Sequence, residues 1–241
     1  MDYCLENCSL YSKIILFKKS IYIFNDHNMA LPVWGSFASR NKCLYNLISF
    51  DTHLDTHPPF SAYLCQKNVN REFGKLALKI KEINELLNNY KYQTNNFDFE
   101  DVYKLSCSFV KNDEQIQTAY AFDYIKSYTI IHRNDAQGYE DVDRENGIDA
   151  KYIAAETISK FNFNNIDLPI ALDFDLDYFR NEKDYNDAIF NRIANLIKDS
   201  SFITIACEPN YFNECKDNDD FDNDKALSLL ICKIKKILTE S

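Results

Sequence analysis

Residues 44–55 read LYNLISFDTHLD, and residues 56–60 continue THPPF. Up to Phe50 the run is largely apolar and rich in residues that suit strands. It does not alternate cleanly between apolar and polar, which predicts a strand covered on both faces, as in a parallel sheet. The run then breaks into Asp51, His53 and Asp55, with His57 one step further on. In an extended chain, residues two apart point to one side. Three groups able to hold a cation are therefore delivered together at a strand end. A polar strand end followed by a turn is the plain alternative, and the other strands decide between the two.

Working outward, similar strands are expected at 20–26 (SIYIFND), 127–133 (SYTIIHR), 201–209 (SFITIACEP), and at the start of 167–179 (DLPIALDFDLDYF). Helices are expected over 70–90, 99–111, 149–161, 183–199 and 223–240, where apolar residues recur at helical spacing or basic residues fall late in the segment. Alternating strands and helices predict a three-layer α/β/α architecture around a mostly parallel sheet. The segment 91–97 is a short loop rather than a linker, so residues 1–241 are read as one α/β domain. The acidic run 217–224 lacks the glycine and late glutamate of a calcium loop and is expected to cap the last helix.

Composition narrows the function. The chain of 241 residues is 46% hydrophobic and carries a formal net charge of −10, which disfavours a nucleic-acid partner and mildly favours cationic substrates. It has eight cysteines but no C-x-x-C pair, so a zinc ribbon is not expected. The first residues lack the basic and apolar regions of a secretory signal, and no apolar run is long enough to span a bilayer. A cytoplasmic protein with reduced thiols and no membrane partner is the expectation.

Ligands of open parallel sheets bind beyond the carboxyl ends of the strands. There the five predicted strands end in Asp26 and His27; in Asp51, His53, Asp55 and His57; in His132; in Asp173, Asp175 and Asp177; and in Glu208. All four histidines of the chain fall at these ends. So many carboxylates brought together would repel one another unless cations joined them. Imidazole and carboxylate without paired thiolates suit manganese or iron better than zinc. Six candidate ligands, His27, Asp51, His53, Asp55, Asp173 and Asp175, exceed the need of one ion and suit two. His57, Asp177 and Asp26 are less directly implicated.

The order of these motifs resembles the ureohydrolase (arginase–deacetylase) superfamily. NDHNMALPVW, SFDTHLD, LPIALDFDLDYF and ITIACEPNYF together resemble the UPF0489 family, and within it the peptide arginases. The resemblance spans roughly Ile21 to Phe212 and implies an arginase-like fold holding two Mn²⁺ per chain. It places His27, Asp51, Asp55 and Asp173 on one ion and Asp51, His53, Asp173 and Asp175 on the other, with Asp51 and Asp173 bridging. It implies hydrolysis of an arginine guanidinium in a ribosomally made precursor peptide, giving ornithine and urea. Glu208 would bind the guanidinium, and Asp55, His132 or His57 would return a proton to the leaving amine. Arginases carry Gly-Gly-Asp where this chain has FND before His27, and Asn where it has His57, so His57 falls at a substrate-contact position. Another hydrolase of the superfamily, acting on a small guanidine or an acylated amine, and a non-catalytic metal-binding module are the alternatives.

Overall fold

In a computed structural model of the protein, which describes residues 12–63, 85, 87–89, 97–133, 143–163, 166–167 and 169–240, the apolar runs lie side by side. The strands are β1 (Ser12–Leu16), β2 (Lys19–Phe24), β3 (Tyr45–Asp51), β4 (Ile125–His132), β5 (Ala150–Ala154), β6 (Ile170–Asp175) and β7 (Phe202–Ala206). They form one sheet in the order β1-β2-β7-β6-β3-β4-β5. Every pairing is parallel except the β1–β2 hairpin. That hairpin turns through Phe17 and Lys18, both at positive φ.

Every residue of β3, β6 and β7 is buried, as continuous apolar runs demand of central parallel strands. One face of the sheet packs on α1 (Ala30–Asn41), α2 (Phe99–Phe109) and α3 (Gln115–Ala121), through Val33, Trp34, Val102, Leu105 and Ile116. The other packs on α4 (Asp187–Arg192), α5 (Ala194–Asp199) and α7 (Asn223–Thr239), through Phe190, Leu196, Ile197, Leu230 and Ile234. A short helix, α6 (Pro209–Cys215), follows β7 along the edge where the strands end. The expected three-layer α/β/α arrangement is therefore present.

Some expectations change. Residues 149–161 are not a helix: Ala150–Ala154 pair with β4, and a 3₁₀ segment follows over Ala155–Lys160. Burial along β5 does not alternate, Lys151 being exposed and Ile153 buried on one face, and the free edge of β4 decided the outcome. The helix expected over 183–199 is interrupted at Ile193 (φ −96°, ψ 7°) into α4 and α5. The helix expected over 70–90 lies outside the described residues apart from Glu85 and residues 87–89, which are helical. Asp222 caps α7 by accepting from the Lys225 amide (2.8 Å), the role assigned to the acidic run.

Helix α1 supports the edge from one side, and its Gly35 is where it comes closest to its neighbours. A Cβ there would stand 2.7 Å from the rings of Phe97 and Tyr124. Gly35→Ala is therefore expected to lower stability by about 1–3 kcal/mol, overpacking outweighing the better helix propensity of alanine. Urea denaturation would read the loss as a lower midpoint.

Candidate metal centre

His27 lies in a 3₁₀ turn (His27–Met29) directly after β2 and is fully buried. Neighbouring Asn28 anchors the turn, its side-chain amide donating to the carbonyls of Ser106 (3.2 Å) and Val110 (2.8 Å) beside α2. On one side of the imidazole, Nε2 meets Asp173 Oδ2 at 2.8 Å. That carboxylate also accepts from Ser49 Oγ (2.7 Å) and Thr204 Oγ1 (2.5 Å), and Thr204 accepts from the Trp34 indole (3.2 Å). Asp173 is completely buried, with both oxygens engaged by protein groups.

On the other side, Nδ1 faces three carboxylates: Asp55 Oδ2 at 2.7 Å, Asp175 Oδ2 at 3.2 Å and Asp51 Oδ2 at 3.4 Å. Neither His27 Nδ1 nor Asp51 Oδ2 makes an aligned hydrogen bond, although both atoms are buried. Close approach without alignment is what lone pairs aimed at one shared point produce, and a nitrogen and oxygens suit a divalent ion there. Asp55 is further held by the side-chain amide of Gln115 (2.6 Å).

Beside this group, His53 Nδ1 lies 2.9 Å from Asp177 Oδ2 and 3.8 Å from Asp51 Oδ1. Asp177 Oδ2 is also buried without an aligned hydrogen bond. The carboxylates are built alike. Asp51 Oδ1 accepts from the His53 amide (2.7 Å), Asp175 Oδ1 from the Asp177 amide (3.1 Å), and Asp177 Oδ1 from the Thr52 amide (3.1 Å). In each, one oxygen is tied to the backbone and the other is turned to the site.

The structure thus brings together five of the six residues read as ligands, His27, Asp51, His53, Asp55 and Asp175, and places the sixth behind them. Asp173 and Asp175 share a face of β6, but one pleat of a strand is about 6.6 Å deep. Asp173 therefore holds the back of His27, while Asp175 and Asp177 reach the strand end. Sequence alternation gives the face of Asp173, Asp175 and Asp177 and not their depth.

The cluster opens into a cavity of about 680 Å³, lined among others by Asp26, His53, Asp55, His57, Asp113, Glu208 and Tyr211. His57 Nδ1 pairs with Asp113 Oδ2 at 3.2 Å, and the His57 amide donates to the Asp113 carbonyl at 2.8 Å. That pairing holds the imidazole above its ordinary pKa and the carboxylate below its own. Glu208 is buried at the start of α6, at φ 38°, and its Oε1 accepts from the His27 amide (3.0 Å). Burial, and then the nearby Asp175, push its carboxyl up to about 9. His132 ends β4 in register with Asp51 and is buried, but it is not among the described residues lining the cavity. Asp113 comes from the turn between α2 and α3 and Gln115 opens α3, and no local motif singles either out.

No protein-family model matches the sequence, and no curated protein resembles it in sequence. Two solved structures do share its architecture. One is the arginase from Medicago truncatula (TM-score 0.51, 11% identity, 90% of this chain and 59% of that one). The other is the proclavaminate amidino hydrolase from Streptomyces clavuligerus (TM-score 0.50, 10% identity, 90% of this chain and 62% of that one). The fold is arginase-like. At such identities the likeness is one of fold, and the chain spans about three fifths of each neighbour's length. Among the described residues, no helix of this arginase-like chain is long and apolar enough to cross a membrane.

The electrostatics give a direct test of the centre. Burial, then Asp55 and Asp177, raise Asp51 well above its ordinary value; burial and then Asp177 raise Asp175 to about 7. Burial opposes the charge of His27, but Asp173, Asp175 and Asp51 outweigh it and raise its pKa. A carboxyl raised on folding binds its proton more tightly in the folded chain, so it destabilises the fold at high pH and is relieved as pH falls through the folded value. A histidine raised on folding contributes stability that is lost as pH rises through its folded value, so both effects have one sign. The metal-free protein is expected to melt at least about 4 °C higher at pH 6 than at pH 8.5, the shift that one to two kcal/mol produce in a chain of this size. Saturating manganese should shrink the difference. Calorimetry with and without a chelator measures both.

Proposed function

We propose that the protein is a metal-dependent hydrolase of the arginine guanidinium in a peptide, releasing urea and leaving ornithine. The observation that carries this reading is the set of buried, half-anchored carboxylates around His27 Nδ1, open to an acidic cavity at the sheet edge of an arginase-like fold. His27, Asp51, Asp55 and Asp175 would hold one divalent ion, and His53 and Asp177, with Asp51 shared between them, a second. Bound there, divalent ions such as manganese at the first position would supply positive charge and a water whose pKa is lowered toward neutrality.

The chain's own groups do the rest. Glu208 receives the planar cation. Glu208, otherwise held protonated by burial, ionises when a guanidinium supplies the counter-charge, and a two-oxygen contact fixes the plane of the substrate. His57, oriented by Asp113 on the cavity wall, is placed to return a proton to the departing amine. Tyr211, 47% exposed and edge-on to the His53 ring at 5.9 Å, offers an aromatic face at the mouth. The cavity wall carries Asp26, Asp55, Asp113 and Glu208 against Lys111. That balance suits an arginine whose carboxylate is tied into a peptide bond better than the free amino acid.

Lys111 nevertheless provides one counter-charge for a small guanidino acid, which keeps a small-molecule amidine hydrolase as the second reading. Urea release separates them: with manganese, arginine-containing peptides are expected to be turned over and free arginine hardly at all. Turnover of small guanidino acids alone would favour the second reading. No urea from any guanidine, with metal bound, would overturn both.

A further inference from the structure

The second ion position contains a donor that neither the motif order nor the arginase-like fold supplies. Cys215, the last residue of α6, is a free, partly buried cysteine whose Sγ lies with a ring nitrogen of His53 and a carboxylate oxygen of Asp177 in a group of atoms all within 4.8 Å of one another. Helix α6 starts at Glu208, which binds the His27 amide, and packs on the 3₁₀ turn that contains Asp177. Cys215 is therefore held by two elements of the site and is not a stray surface thiol. The second sign of a ligand is Asp177 itself: 1% exposed, one oxygen fixed by the Thr52 amide, and the other 2.9 Å from His53 Nδ1 with no aligned hydrogen bond.

We propose that Cys215 is a thiolate ligand at the second ion position, completing a His53–Asp177–Cys215 set that takes a softer divalent ion than manganese. Carboxylate oxygens around His27 suit a hard ion such as manganese, whereas a sulfur, a nitrogen and an oxygen suit zinc, cobalt or iron(II). On binding, the S–H bond of Cys215 breaks, the sulfur–metal bond forms and the proton leaves to solvent, with no change of oxidation state. The centre is then asymmetric, with one hard and one soft position. The inference rests on the proposed metal-dependent reading for the presence of ions, but not for the reaction they serve.

Cobalt(II) serves as the probe, because a cobalt–thiolate bond gives an intense near-ultraviolet charge-transfer band that nitrogen and oxygen ligands do not. Titrating the metal-free full chain with cobalt chloride is expected to produce this band, saturating at one thiolate per chain. Cys215→Ser should bind cobalt without the band and hold zinc at the second position at least about tenfold more weakly, since even partners one shell further out are worth 10–100-fold. Cys232→Ser, altering an exposed thiol on α7, should keep the band. Should Cys215→Ser fail to fold, the wild type still decides: bound zinc must protect Cys215 from alkylation, read by mass spectrometry of the peptide that contains it. Two bound cobalt ions with no charge-transfer band, a band that survives Cys215→Ser, or unprotected Cys215 overturns the thiolate and leaves the hydrolase reading standing. Failure to bind any divalent ion overturns both.

Discussion

Asp51→Asn is expected to lose metal and gain stability at once. Its Oδ2 is a buried atom without an aligned hydrogen bond, 3.4 Å from His27 Nδ1, and its Oδ1 is fixed by the His53 amide. Asparagine keeps the shape and the amide contact but removes the charge that Asp55 and Asp177 repel. Metal affinity, measured by titration calorimetry, should fall by at least about 100-fold, the upper end of what supporting residues alone contribute. Urea release should vanish with it. The metal-free variant should meanwhile melt at least about 2 °C above metal-free wild type, the shift of roughly one kcal/mol in a chain this size. A residue with a merely structural role would show the opposite sign. Wild-type metal affinity in Asp51→Asn would remove Asp51 from the centre.

Asp173→Ala is expected to fail differently. Asp173 has both oxygens engaged by protein groups: it joins the imidazole of His27 to Ser49, Thr204 and, through Thr204, Trp34. Truncation strands a buried imidazole and two hydroxyls, at a cost of about 3–5 kcal/mol. In a chain of this size that lowers Tm by roughly 10 °C. Asp173→Asn, which keeps an acceptor for one hydroxyl and offers the other an amide donor, should fold and lose 10–100-fold in metal affinity, as expected for a group that orients a ligand. If Asp173→Ala melted like wild type while binding no metal, Asp173 would be a ligand and its placement behind His27 would be wrong.

The contrast between these two aspartates shows how much could be read from the chain alone. Continuous apolar runs ending in Asp51, His132, Asp175 and Ala206 announced central parallel strands, and their level ends announced the site edge. The depth of Asp173 could not be read, because alternation along β6 is the same for a buried supporting carboxylate and a rim ligand. Cys215 and Asp113 were not legible for another reason. They reach the site from a helix end and a turn, where no local pattern records what lies across the fold. Strand β5 is not legible because AKYIA carries no clear strand period, and only the open edge of β4 makes it a strand.

The half-anchored carboxylates also set the order in which the protein is assembled. Asp51, Asp175 and Asp177 are each oriented by an amide of their own or a neighbouring loop, an anchoring the polypeptide supplies by itself. Small metallodomains differ, since there the ion is the scaffold and its removal unfolds the chain. Here the cage is finished by the polypeptide, so a chelator should strip the ions and leave the secondary structure in place. Activity should return when metal is added back, without a refolding lag. The cell could then hold the protein ready-made and switch it on by metal supply alone.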